Sequence, residues 1–252
     1  MIKRFIGMLV LTLLAITTVT AQNGVAPAAK PAALPTVDEI LDKQVKALGG
    51  KEALEKISSR MAKGTMELEG MGLSGPLELY TKAPNKSAMF IELQGVGKII
   101  NVFDGEKGYA LDPTGSLREL SGAEFATAKR NADFYESLNL KKHFAKMEVK
   151  GKEKVGATDA YLVVATPAVG DPEKLYFAAD TGLLVRIDTD NETPQGKMSF
   201  ETSISDYKEV DGVKVAHSLR QVSSAFTAVI KLTEVKHNVS VEDAKFAKPS
   251  GQ

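Results

Sequence analysis

Asp180-Thr181-Gly182 spells the active-site triplet of aspartic proteases. That chemistry needs two carboxylates sharing one proton, supplied by two copies of the motif or by a dimer. No second Asp-Thr-Gly or Asp-Ser-Gly occurs in the chain. The flanks favour a turn. Leu175 to Phe177 and Leu183 to Ile187 are rich in β-branched and aromatic residues, and a Gly-containing break divides them. Gly182 can take positive φ without steric cost, and Asp180 can bond its own backbone across the turn. The triplet therefore reads as a hairpin. Three histidines, His143, His217 and His237, fall in different elements without ligand spacing and read as packing or surface groups. Gly70-Met71-Gly72 and Gly95-Val96-Gly97 lie between strands and open no helix, so they are not phosphate loops. There is no Gly-x-Ser-x-Gly elbow, and the chain has no Cys. Disulfides, thiolate catalysis, Cys-based zinc sites and an acylated N-terminal Cys are all excluded. The chain reads as a non-enzyme without cofactor or metal. Three Asn-x-Ser/Thr sequons, at Asn85, Asn191 and Asn238, read as chance matches.

Binding, rather than chemistry, then depends on which surfaces the elements build. The hairpin pattern recurs: Ile204 to Val210, then Asp211-Gly212, then Val213 to Val222. Asp-Gly between two strand-like runs is a strong hairpin signal. From Met61 onward apolar residues recur every second position. Ala62, Gly64, Met66 and Leu68 alternate with polar residues; Leu77 and Leu79, then Met89, Ile91 and Leu93, do the same. Ile99 to Phe103 and Tyr109 to Leu111 flank Asp104-Gly105, a further hairpin. This period predicts an antiparallel sheet with one apolar and one wet face. Small residues and methionines on the apolar face leave room and adapt to irregular contacts.

Two helical regions interrupt the strands. Thr36-Val37-Asp38-Glu39 is a capping box, and Val37, Ile40, Leu41, Val45 and Leu48 follow on one face until Gly49-Gly50. A short second helix places Ala53, Leu54 and Ile57 inward. Ser121-Gly122-Ala123-Glu124 reads as a second capping box, opening a helix that runs, with a break near Asn139, to Lys146. Phe125, Ala128, Ala132, Tyr135 and Leu138 form its apolar stripe. A helical segment between two runs of strands either covers the apolar face or protects an edge. Strands resume over Met147 to Val155, Ala160 to Ala165 and Thr227 to Val239. Phe246 is expected to plug the end of the sheet.

Residues 1–21 read as a cleaved secretory signal: Lys3 and Arg4, an apolar run from Ile6 to Ile16, then Val19-Thr20-Ala21 before Gln22. The apolar run is shorter than the ~18–20 residues that span a bilayer. Residues 22–35 form an Ala/Pro-rich tether, and residues 36–252 a single domain. The 252 residues, 43% hydrophobic and 25% charged, are enough for a substantial core. Without Lys3 and Arg4 the 32 basic residues fall to 30 against 32 acidic ones, a balance that gives no nucleic-acid or polybasic membrane footprint.

The order of these pieces resembles the periplasmic lipoprotein carrier LolA and its superfamily, including LolB and the mycobacterial LppX/LprG carriers. The pieces are a leader, an amphipathic helix, a strand meander, a helical insertion and a second meander. Leu175-Tyr176-Phe177…Asp180-Thr181-Gly182-Leu183-Leu184 and Asp206-Tyr207…Val210-Asp211-Gly212-Val213 carry the likeness, as does the opening Ala47-Leu48-Gly49-Gly50-Lys51-Glu52-Ala53-Leu54. It covers roughly Thr36 to Pro249. The resemblance implies a mainly β (α+β) fold: a strongly curved, unclosed antiparallel β-barrel with helices as a lid. It implies a periplasmic, monomeric carrier of lipid or lipoprotein acyl chains, served by membrane-bound donor and acceptor proteins. The lid would be Val37–Leu48 and Phe125–Leu138. The acyl-facing wall would draw on Met66, Leu68, Leu77, Leu79, Met89, Ile91 and Leu93, with Phe125 above it. Lys82-Ala83-Pro84-Asn85-Lys86 matches the family's Arg-Pro-Asn-like motif, with Ala83 where the lid-tethering arginine would stand. An interaction module of an envelope complex on the same fold is the other expectation.

Overall fold

A computed structural model describes residues 33–193 and 196–250; the signal-peptide reading and most of the tether reading lie outside them. From Leu34 onward the chain forms one compact unit. The apolar alternation builds thirteen antiparallel strands. The first meander is β1 Ser59–Leu68, β2 Leu73–Lys82, β3 Lys86–Leu93, β4 Gly97–Phe103, β5 Gly108–Leu111 and β6 Leu117–Glu119. The second is β7 Lys146–Val155, β8 Thr158–Thr166, β9 Glu173–Ala178, β10 Leu184–Thr193, β11 Gly196–Val210, β12 Val213–Val222 and β13 Thr227–His237. Within each meander every strand pairs with its chain neighbour, and β1 pairs with β13 to join the two meanders into one sheet. β6 and β7 remain as its two edges, so the barrel is unclosed. β7 carries Lys146, Lys150, Lys152 and Lys154, charges that discourage a further strand from adding to that edge.

The helices are α1 Val37–Ala47, α2 Lys51–Glu55, α3 Gly122–Asn131 and α4 Glu136–Asn139, with a 3-10 turn over Leu140–His143. The α1 capping box is complete: Glu39 N–H donates to Thr36 Oγ1 at 3.2 Å, and Thr36 N–H donates to Glu39 Oε2 at 2.7 Å. The second expected box does not form. Ser121 makes no side-chain cap, and the Glu124 carboxylate, the other half of the box, is held instead by Arg118 at 2.7 Å. The break in the insertion comes earlier than expected, at Ala132–Tyr135.

The two hairpin motifs seat α1. Asp211 (φ 51°) and Gly212 (φ 78°) form the two-residue turn with both residues left-handed that suits twisted strands. Leu48 O accepts from Lys214 N–H at 2.9 Å beside it. At the other hairpin, Gly182 N–H donates to Ala178 O at 2.8 Å, and Lys43 Nζ donates to Ala179 O at 2.7 Å. Ile40 and Leu41 pack with Val163, Leu175 and Phe177 of the second meander; Val45 and Leu48 pack with Leu54, Ile57 and Val213.

Two expectations are corrected. Phe246 does not plug an end. It is 1% exposed and packs, with Val241, on Ala88, Val102 and Tyr109 of the outer face. That face is accordingly not wholly wet: Tyr80, Phe90, Ile100 and Leu117 share the patch that the C-terminal turn, Asp243–Phe246, covers.

Candidate functional site

Strand register fixes which side chains share the concave face, since residues directly opposite in neighbouring strands project to the same side. Leu79 faces Met89, and Met89 faces Asn101; Thr81 faces Ser87, and Ser87 faces Phe103. All six border a cavity of about 570 Å³. Its roof is α3, through Ala123, Thr127, Ala128, Arg130 and Asn131. Its far wall is Glu173 of β9, Asn191 of β10 and Phe200 of β11. α3 lies against β5 on one side and β10 on the other, so it bridges the two meanders across the concavity. Of the two roles open to the insertion, covering the face is the one it performs.

The insertion is fixed at both ends of this bridge. Phe134 N–H donates to Pro84 O at 2.9 Å, in the turn between β2 and β3 that contains Ala83. A backbone bond thus ties the insertion to that turn. Tyr135 Oη donates to Ile57 O at 3.0 Å. On the far wall Arg130 pairs with Glu173, and both side chains are largely covered, at 12% and 17% exposure. The Arg130 guanidinium also lies over the Phe144 ring. Asp133 accepts from Asn139 at 3.0 Å and contacts His143 Nε2 at 2.7 Å.

Acidic groups outnumber Arg130 here. Burial pushes the Glu173 carboxyl up, against the pull of Arg130. Glu136 is pushed up to about 7, first by desolvation, then by the charges of Glu173 and Asp133, with Arg130 opposing. Its side chain is nonetheless exposed, so solvent screening weakens that shift.

The structure gathers the expected wall residues into one cluster but divides their environments. Met66, Leu68, Leu77, Leu79, Met89, Ile91 and Leu93 pack together with Ile230 and Leu232 of β13. Leu79 and Met89 border the cavity. Leu77, Ile91 and Leu93 are 1–3% exposed and are packed rather than open. Phe125 is half-buried and rests on Phe103, with ring centroids 5.9 Å apart. The triplet Asp180-Thr181-Gly182 is an exposed turn, in which Thr181 N–H donates to Asp180 Oδ1 at 2.7 Å. Among the described residues no group of three or more His, Asp or Glu side chains is arranged to hold a metal ion.

Sequence reading missed the polar part of the site: Asn101, Thr127, the Arg130–Glu173 pair and Asn191. Asn101 had a usable signal, since it keeps parity with Ile99 and Phe103. The Arg130–Glu173 pair had none, because 43 positions separate its members.

No protein-family model and no curated protein matches the chain in sequence. Solved structures match its fold. A DUF1329 family protein from Desulfovibrio piger superposes with a TM-score of 0.57 at 16% identity, covering 84% of this chain and 97% of that one. A LolA superfamily protein from Nitrosomonas europaea gives 0.56 at 12% identity, covering 85% and 99%. A domain bearing the name outer membrane lipoprotein-sorting protein, from Vibrio parahaemolyticus, gives 0.56 at 10%, covering 83% and 95%. At these identities the likeness establishes the fold, that of LolA-like proteins.

Proposed function

We propose that this protein is an exported, non-catalytic carrier or binding protein for an acyl-chain ligand, acting in the periplasm. One observation carries the reading: the concave face holds a cavity of about 570 Å³ that the protein's own side chains leave unfilled. Leu79, Met89, Phe103 and Phe200 give it an apolar wall, and α3 roofs it. An apolar cavity with a few converging polar groups is the usual form of a small-molecule site. Each methylene buried contributes about 0.8 kcal/mol, so a chain of ordinary length offsets the cost of association without any covalent step. Release requires α3 to lift, which breaks its side-chain pairs Arg118–Glu124 and Arg130–Glu173. Comparison with LolA-like folds, including one named for lipoprotein sorting, supports the same reading.

The test is uptake by the mature protein. Native mass spectrometry followed by organic extraction should find one acyl-chain molecule per protein. Delipidated protein should bind an environment-sensitive fluorescent fatty acid saturably. No bound lipid and no saturable uptake would leave the interaction-module reading in its place.

A further inference from the structure

We infer that Arg60 anchors the anionic head of a single-chain amphiphile whose tail occupies the cavity; this rests on the carrier reading and specifies its ligand. The register His237–Arg60–Thr81–Ser87–Phe103 runs across β13, β1, β2, β3 and β4, one residue per strand. All five therefore project to the concave side, and Thr81, Ser87 and Phe103 border the cavity. Arg60 stands next in that row, one strand beyond Thr81, which borders the cavity. Ala62 and Val235, two residues along the same strands, lie in the concave apolar cluster, which fixes the same orientation.

Arg60 differs from every other arginine among the described residues. Arg118, Arg130, Arg186 and Arg220 each have a carboxylate partner. Arg60 has none; its Nε donates to His237 Nε2 at 3.0 Å. To accept that bond His237 must be neutral, with its proton on Nδ1, which faces Asp211 Oδ2 at 3.3 Å. The imidazole then supplies no negative charge. Burial alone pulls the Arg60 guanidinium below its ordinary pKa, with no acid opposing it. An enclosed cation without a counter-charge is costly, and an incoming anion relieves that cost. The fork of a guanidinium suits a carboxylate or a phosphate equally. On the opposite wall Arg130 is already paired with Glu173 and offers no free charge to an anion.

Volume limits the tail. At about 30 Å³ for each water-sized group, 570 Å³ holds on the order of 19 methylene-sized units. One long chain fits within that space.

The experiment displaces a fluorescent probe, 1-N-phenylnaphthylamine, with palmitate, hexadecyl phosphate and hexadecanol, on wild type, Arg60→Gln and Arg60→Lys. The three ligands share one tail. A hydrogen-bonded charge pair should make palmitate, hexadecyl phosphate or both about 10- to 100-fold tighter than hexadecanol, and the tighter of the two identifies the head. Arg60→Gln should bring the anions down to the hexadecanol level and leave hexadecanol unchanged; Arg60→Lys should keep part of the preference. Hexadecanol binding as tightly as both anions to wild type would overturn the anchor while leaving the carrier reading standing. A preference that survives in folded Arg60→Gln would also overturn it. Should Arg60→Gln lose its fold, the wild-type preference and its partial retention in Arg60→Lys decide the matter. Failure of all three ligands and of the probe would sink the carrier reading, and the anchor with it.

Discussion

Glutamate placed at Leu79 and at Ile91 should separate an open cavity from a packed wall. The two residues share a face and a cluster, and their strands are neighbours. Ile91 is 3% exposed and packs among Ala62, Leu77, Leu93 and Leu232. Ile91→Glu forfeits about 1.5–3 kcal/mol of apolar burial. It also leaves a carboxylate with no partner in a dry cluster, which brings the cost to ~5 kcal/mol or more. That is comparable to the whole stability of a domain, about 5–15 kcal/mol. Leu79 is half-buried and borders the cavity, so its carboxylate reaches water there. Leu79→Glu should cost only ~1–2 kcal/mol of stability, from partial loss of burial. It should still abolish binding of a fluorescent fatty acid, because the tail would have to dehydrate the new charge. Urea melts and ligand titrations on the two variants read both quantities. Equal destabilisation of both variants would mean that no wet space adjoins Leu79. A stable Leu79→Glu that binds the probe normally would mean that the tail does not run past it.

Other predictions follow from single sites. Gly182→Ala should destabilise by about 1–3 kcal/mol in a melt, because φ is +81° and a Cβ would stand 2.6 Å from Lys43 Cγ and 3.1 Å from the Lys43 carbonyl oxygen; unchanged stability would refute the seating of α1 on this turn. Glu136 has its folded pKa raised from 4.5 to about 7, so its effect on stability worsens as pH rises through that window. Glu136→Gln should therefore raise the melting temperature at pH 8 and change it little at pH 4.5, and a pH-independent difference would contradict this. His237 has its pKa lowered from 6.5 by burial and then by Arg60, so stability from its neutral form is lost as pH falls below 6.5. His237→Gln should flatten that acid limb in a melt series from pH 7 to pH 5. N-terminal sequencing of exported protein should begin at or near Gln22; Met1 retained in a membrane fraction would mean an anchored protein.

The sequence by itself determined most of the elements and their antiparallel meander order, because those follow from local periodicity; the curvature of the sheet was implied only by the resemblance to LolA-like carriers. Period-two alternation over Ala62–Leu68 and Leu77–Leu93 specifies strands and their inward face. Asp211-Gly212 specifies a two-residue turn, and Thr36…Glu39 a capped helix start. That the seven expected wall residues share one apolar cluster was legible for the same reason. What the tertiary structure alone decided is which part of that wall stays open. Parity says that Leu79 and Ile91 point the same way; only the tertiary structure leaves a cavity bounded by α3, β10 and β11 beside Leu79 while Leu232 of β13 closes the packing around Ile91. The polar site belongs to the same category. Arg130 and Glu173 meet because the insertion crosses the concavity, and the Glu124 carboxylate is held by Arg118 rather than in a capping box. Arg60 shows both limits together. It keeps the parity of Ala62 and Gly64, so its inward direction could be read from the strand. That no carboxylate comes to meet it depends on everything packed around the row, and no local pattern encodes that.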